Sequence, residues 1–238
     1  MIVIPMAGLS SRFFKAGYDV PKYQLDLHGQ TVFSWAVSSF EQYFKTDLFV
    51  FIYRDVFDTK KFIESEIQEL GILNYQLVCL ENETLGQADT VYQGLQKINT
   101  NSDDEIFIFN IDSKLLNFAK PEWLEDCAAY LEVFKGEGSH WSFIEKGEGN
   151  LVIRTTEKDR ISNLCSNGLY YFQSSQYFKG LVEFALANQY LVNNELYIAP
   201  LYNLMIKDHQ VVRYQEVNFD EILFCGTPDE YIALKDVV

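Results

Sequence analysis

Cations are scarce in this 238-residue chain: 19 Lys and Arg stand against 34 Asp and Glu, for a formal charge of −15 and a sequence pI near 4.5. A surface of that sign repels the backbone of nucleic acid and the headgroups of an anionic membrane at long range, so neither is expected as a partner. Cysteine is equally sparse. Cys79, Cys127, Cys165 and Cys225 are widely spaced, lie in apolar stretches, form no C-x-x-C pair and have no histidine nearby. That pattern excludes a zinc site and a disulfide framework, and predicts reduced core thiols of a cytosolic protein. No apolar run approaches the roughly 18 residues of a membrane span, and no charged n-region or cleavage site heads the chain. A soluble, cytoplasmic protein is expected. Repeats, low-complexity tracts and proline-rich linkers are also missing, and 48% hydrophobic residues supply a core that needs no staples, so residues 1–238 are expected to form one domain.

Two nucleotide signatures are absent as well. There is no G-x-G-x-x-G and no G-x-x-x-x-G-K-[ST], which disfavours a nicotinamide enzyme and a P-loop ATPase. What is present is an alternation of apolar strand-like runs, at 1–5, 48–53, 75–80 and 105–110, with amphipathic stretches at 31–44, 58–70 and 87–98, the pattern of parallel β-α-β units. Asp58 and Thr59 read as an N-cap and Gly71 as a helix stop. Beyond the glycine-rich stretch 136–149, read as a loop and hairpin, strands are predicted at 141–145, 151–155, 168–173, 211–217 and 222–225. Helices are predicted at 174–187 and 195–206, and from Pro228 onward. The fold class is α/β, and in such sheets ligands bind beyond the carboxyl ends of the strands, where Gly8, Arg12, Gln87 and Asp112 emerge.

Charge is unevenly placed. Residues 1–22 hold Arg12, Lys15 and Lys22 against Asp19 alone, leaving 16 cations against 33 acids in the remainder. After the first strand, Ala7-Gly8-Leu9-Ser10-Ser11-Arg12 offers main-chain N–H groups and a cation, with Pro21-Lys22 following, a combination suited to phosphate. A solvated basic loop is the plainer alternative. Asp112, at the end of the apolar run Ile108–Ile111, suits a hard cation such as Mg²⁺, or a simple turn. In Leu85-Gly86-Gln87-Ala88-Asp89, Gln87 can read a base edge while Gly86 lets a planar base approach, or the segment is a plain helix start. Lys158 and Arg160 in Glu157-Lys158-Asp159-Arg160 can grip a second phosphate, or form a solvated turn.

Together these residues resemble the bacterial nucleotidyltransferases that make nucleotide-activated sugars and capsule precursors. The likeness runs from Pro5 to Phe13, Ala16 to Tyr18, Pro21-Lys22, Leu85 to Ala88 and Asn110 to Asp112. It continues at Glu157-Lys158, Gly168 to Phe172, Ala199 to Asn203 and Gly226 to Pro228, and so spans nearly the whole chain. It implies a Rossmann-like, GT-A-like nucleotidyltransferase fold with a mixed central sheet flanked by helices. It also implies attack of a phosphorylated acceptor on a nucleoside triphosphate, with release of pyrophosphate. Ala7, Gly8, Leu9, Ser10 and Ser11 would wrap the triphosphate, Gln87 and Ala88 would meet a pyrimidine base, and Arg12 and Lys22 would be catalytic. Asp112 would bind Mg²⁺, and Tyr23, Glu157 and Lys158 would face the acceptor. The overall look is most like the branch that joins CTP to L-glutamine phosphate for capsule phosphoramidate, and it leaves room for a homo-oligomer. Without an appended β-helix or acyltransferase, no second chemistry is expected. A sugar-1-phosphate or choline-phosphate enzyme, a GT-A glycosyltransferase and a non-catalytic nucleotide sensor stay open.

Three positions depart from the family pattern: Ser10 replaces a loop glycine, Tyr23 a proline, and Phe224 an aspartate that holds metal. Asp220 or Glu221 is the expected substitute for that last carboxylate. The three histidines, His28, His140 and His209, lie outside every matched motif.

Overall fold

The computed structural model describes residues 1–99 and 101–236. The chain forms two compact units, one of Ile2–Glu83, Asn110–Ala119 and Asp220–Val238, the other of Met1, Thr84–Phe109 and Lys120–Phe219. Both are assembled from separate stretches, which is why no linker or composition shift marks the division in the sequence.

The first unit is built on parallel strands. Ile2–Pro5 pairs with Phe49–Tyr53, which pairs in turn with Tyr75–Cys79, with Ile2 opposite Phe49 and Phe49 opposite Tyr75. Phe49–Tyr53 is buried along its whole length, as expected of a parallel strand covered on both faces and matching its unbroken apolar sequence. The crossover at 31–44 begins as an α-helix, Val32–Val37, with Thr31 Oγ1 accepting from Ser34 N at 3.0 Å. It then tightens into a 3₁₀ segment, Ser38–Tyr43, interrupted at Phe40 (φ −111°, ψ 22°), and is not the single helix expected from its pattern. The next crossover, Thr59–Leu70, stops at Gly71 in the left-handed region (φ 72°). Asp58 occupies its N-cap position without capping; Asp55 Oδ1 takes Lys60 N instead, at 3.1 Å. A short antiparallel ladder joins Ser113–Leu115 to Ile222–Phe224, and the helix Pro228–Lys235 follows it.

In the second unit the fully buried strand Leu164–Phe172 is central. It runs antiparallel to Ile106–Phe109, to Ala129–Lys135 and, at Cys165, to Ser142–Lys146, which pairs with Val152–Glu157. Val212–Glu216 runs parallel to Ala129–Lys135. The strand Ala129–Lys135 is not among the expected elements: its continuous burial through Phe134 hides the alternation that marks a strand. Helices Gln87–Gln96 and Ser175–Ala187 flank the unit, and the helix expected at 195–206 starts only at Ala199, as a 3₁₀ turn, Ala199–Leu201, with Pro200 in its first positions, and runs on as the helix Tyr202–Lys207. Of the four cysteines, three are buried as expected; Cys79 is exposed at the end of the edge strand Tyr75–Cys79 and is not a core residue. Among the described residues no helix is long and apolar enough to cross a membrane.

Candidate active site

In the first unit the strand Ile2–Pro5 delivers the chain into an open loop, with Gly8 and Leu9 exposed. Ser10 then adopts φ 50°, ψ 29°, a left-handed conformation unusual for a residue with a Cβ, and starts the five-residue helix Ser11–Lys15. Its carbonyl accepts from Phe13 N at 2.9 Å, and its Oγ accepts from Lys22 N at 3.2 Å. Buried Phe13, edge-on to Tyr231 and tilted against Tyr18, anchors this helix and leaves Arg12 on the exposed side.

Lys22 and Asp112, 90 residues apart, meet in an ion pair through Lys22 Nζ and Asp112 Oδ2, with only 20% and 19% of their side chains exposed. Asp112 is held from its other side by the ladder of Cys225, whose N–H donates to the Asp112 carbonyl at 2.8 Å. A Cβ on Gly226 would stand 3.0 Å from Asp112 Oδ2, so glycine there makes room for the carboxylate. Burial, reinforced by the Asp112 charge, pushes the neighbouring Cys225 thiol up to about 12, which keeps it neutral beside the pair.

Phe224 lies in strand register with Ser113, and Glu221 is engaged by Asn117 Nδ2 at 3.1 Å. The carboxylate that approaches Gly226 from the other side belongs to Glu230. Its Oε2 accepts from Gly226 N and Thr227 N, both at 2.9 Å, within a capping box. Sequence reading passed over Glu230, although Thr227-Pro228-Asp229-Glu230 carries the capping-box spacing. No group of three or more His, Cys, Asp or Glu among the described residues could cage a metal. A single carboxylate such as Asp112 suits only a cation that keeps waters and draws its further ligands from elsewhere.

Tyr23 is 3% exposed, its hydroxyl 2.9 Å from Thr59 Oγ1 and its ring beside Phe62, so its polar end is used inside the unit. Next to the loop lies a cavity of about 430 Å³ lined by Gly8, Ser11, Lys15, Tyr23, Arg54 and Phe57, among others. Arg54 is a cation the motif reading missed, since it follows the second strand with no pattern around it.

The second unit holds the remaining candidates. Gln87 is the first residue of its helix, behind Gly86 at φ 127°. A Cβ on Gly86 would lie 2.8 Å from Leu196 O and 2.9 Å from Leu196 N. The space that glycine opens is thus filled by main chain, which corrects the expectation that a base approaches there. Ala88 is buried and its N–H donates to Leu196 O at 3.1 Å.

Glu157, 9% exposed, ends the strand Val152–Glu157 and accepts a hydrogen bond from Ser142 Oγ. Burial raises its pKa above the ordinary carboxylate value; the Ser142 bond and Lys158 oppose the rise and Glu195 adds to it. Lys158, left-handed at φ 56°, extends to the Tyr197 hydroxyl with its Nζ 4.5 Å from that ring's centroid. Arg160 does not join Lys158 in a phosphate grip: its guanidinium donates to Gly138 O at 2.6 Å and Gly136 O at 3.0 Å.

The chain is 44% identical to the nucleoside-diphosphate-sugar pyrophosphorylase from Vibrio cholerae RC9, with a TM-score of 0.94 over 98% of this chain and 99% of that one. Two more distant structures share the fold. A UDP-glucose pyrophosphorylase complexed with UDP-glucose is 15% identical, with a TM-score of 0.72 over 99% of this chain and 96% of that one. The inositol-1-phosphate CTP transferase from T. maritima is 16% identical, with a TM-score of 0.70 over 100% and 96%. No protein-family model and no curated protein matches the chain.

Proposed function

Because the chain belongs to the nucleoside-diphosphate-sugar pyrophosphorylase family of nucleotidyltransferases, we propose that it joins the nucleotide of CTP to a phosphorylated small molecule, L-glutamine phosphate first among candidates, releasing pyrophosphate for surface-polysaccharide precursor synthesis. The observation that carries this reading is the Lys22–Asp112 pair beside the loop of residues 7–12. It brings a cation and a metal-competent carboxylate together where a triphosphate would be gripped by main-chain N–H groups.

An acceptor phosphate is already ionised at neutral pH, so attack on the α-phosphorus needs no general base, in keeping with the absence of histidine from the matched motifs. Ala7, Gly8, Leu9, Ser10 and Ser11 bind the β- and γ-phosphates, and Arg12 stabilises the charge that grows on departing pyrophosphate. Lys22 bridges the α-phosphate and the incoming oxygen. Gln87 reads the base, with Ala88 fixing the turn that presents it. Lys158 holds the acceptor phosphate, with Glu157 near the rest of the acceptor. Tyr23, which lines the cavity beside the loop, also faces the acceptor. Asp112 would hold Mg²⁺, which when bound would supply charge neutralisation to the triphosphate.

A pyrophosphate-release screen tests the reading: four ribonucleotides and dTTP against L-glutamine phosphate, phosphocholine and several sugar-1-phosphates. CTP with L-glutamine phosphate is expected to turn over fastest; silence from every pair means a nucleotide sensor. Lys22→Ala is expected to lower kcat by about two to three decades while leaving nucleotide affinity nearly unchanged. Equal losses in both would remove Lys22 from the chemistry.

A further inference from the structure

We infer that Ser10 is a positioning residue: its hydroxyl fixes the main chain of Lys22, and through it the ammonium that the reaction uses. The inference rests on the proposed function for its catalytic consequence and on geometry for its substance. Lys22 opens a 3₁₀ turn, Lys22–Gln24, so its N–H has no acceptor within that turn. Ser10 Oγ, 12 residues earlier, supplies one at 3.2 Å. On the same side, the Ser10 carbonyl accepts from Phe13 N and from Phe14 N, tying the residue to the start of the helix that bears Arg12. At the far end of the Lys22 side chain, Nζ meets Asp112. One serine therefore links the Arg12 helix to the main chain of Lys22, whose side chain ends on Asp112.

Its backbone gives the inference a discriminating test. Ser10 sits at φ 50°, where glycine is relaxed and every other residue is strained, asparagine and aspartate least. If the residue served only to make the turn, glycine would serve better. A serine retained there at the cost of strain is accounted for by what its hydroxyl does.

Ser10→Gly removes hydroxyl and strain together, and Ser10→Ala removes the hydroxyl alone. The link predicts that both variants lower kcat for CTP turnover by about threefold to tenfold, the worth of one hydrogen bond. It also predicts faster amide hydrogen exchange at Lys22 in both. Ser10→Gly should melt no lower than the wild type, and above Ser10→Ala. Wild-type kcat in Ser10→Gly, or unchanged Lys22 exchange in the two variants, overturns the inference. If the wild-type protein releases no pyrophosphate with any substrate pair, the proposed function falls separately. Lys22 exchange then decides the link alone, faster exchange supporting it and unchanged exchange refuting it.

Discussion

Gly226→Ala tests the Asp112 site with a single carbon. The new Cβ would lie 3.0 Å from Asp112 Oδ2, against 3.4 Å for the close edge of ordinary contact, while Glu230 Oε2 at 3.5 Å needs no adjustment. Gly226 is not among the residues with positive φ, so alanine brings no left-handed strain and the change falls on the carboxylate. The Asp112 oxygen must retreat by about 0.4 Å, and it is the same oxygen that meets Lys22. Misplacing a catalytic group by about 1 Å costs on the order of a hundredfold, so a shift of this size scales to about fivefold to tenfold in kcat. Stability should move by less than about 1 kcal/mol, since the lost chain entropy of glycine offsets mild crowding. Pyrophosphate release under saturating substrates, beside a urea titration, measures both. Wild-type turnover, or a loss that tracks unfolding, would refute the role of Gly226 in seating Asp112.

Gly86→Ala should behave in the opposite way: its Cβ would meet the Leu196 main chain at 2.8 and 2.9 Å with φ at 127°, so a stability loss of about 2 to 5 kcal/mol is expected by urea unfolding, and a stable variant would contradict the packing. Glu157 should make stability depend on pH. Because burial raises its pKa, the folded protein keeps a proton that the unfolded chain releases above about 4.5, and stability falls as pH rises from there through the raised value. Glu157→Gln removes that slope, so the variant should gain on the wild type between pH 4.5 and neutrality in paired urea titrations, and parallel curves would count against it.

The parallel half of the fold was legible because its strands are continuous apolar runs punctuated by helix-length stretches. The expected strand at 48–53 matches Phe49–Tyr53 within one residue, and the stop at Gly71 is in place. Proline and tight turns blurred the rest: one expected helix starts late, at the turn that holds Pro200, and Phe40 breaks another. At the site, Lys22 and Asp112 were separately readable as cation and strand-end acid, yet their pairing across 90 residues is a property of the ladder and loop that no local spacing encodes. Gly86 misled for a related reason. A glycine reports that something comes close, and its sequence neighbours do not say whether that is a base or, as here, the Leu196 main chain.

Phe224, opposite Ser113 in the ladder, brings no carboxylate to the Asp112 end of the site. Lys22 and Asp112 neutralise one another, and Glu230 is committed to two main-chain N–H groups, so the loop's excess charge is that of Arg12 and Lys15, both exposed. On the proposed function a polyanionic triphosphate would be attracted to that excess despite a formal −15 on the whole chain, because local charges within a Debye length of about 8 Å outweigh distant ones. On the proposed function, phosphate oxygens compete with Asp112 for Lys22 Nζ, and each gain of Lys22 by phosphate releases the carboxylate to serve a cation. On that reading, a site with Asp112 as its carboxylate would gain its metal affinity as the nucleotide arrives. Metal binding measured by calorimetry should accordingly be weak alone and strengthen with CTP; tight binding to the free protein would show that a carboxylate other than Asp112 takes part.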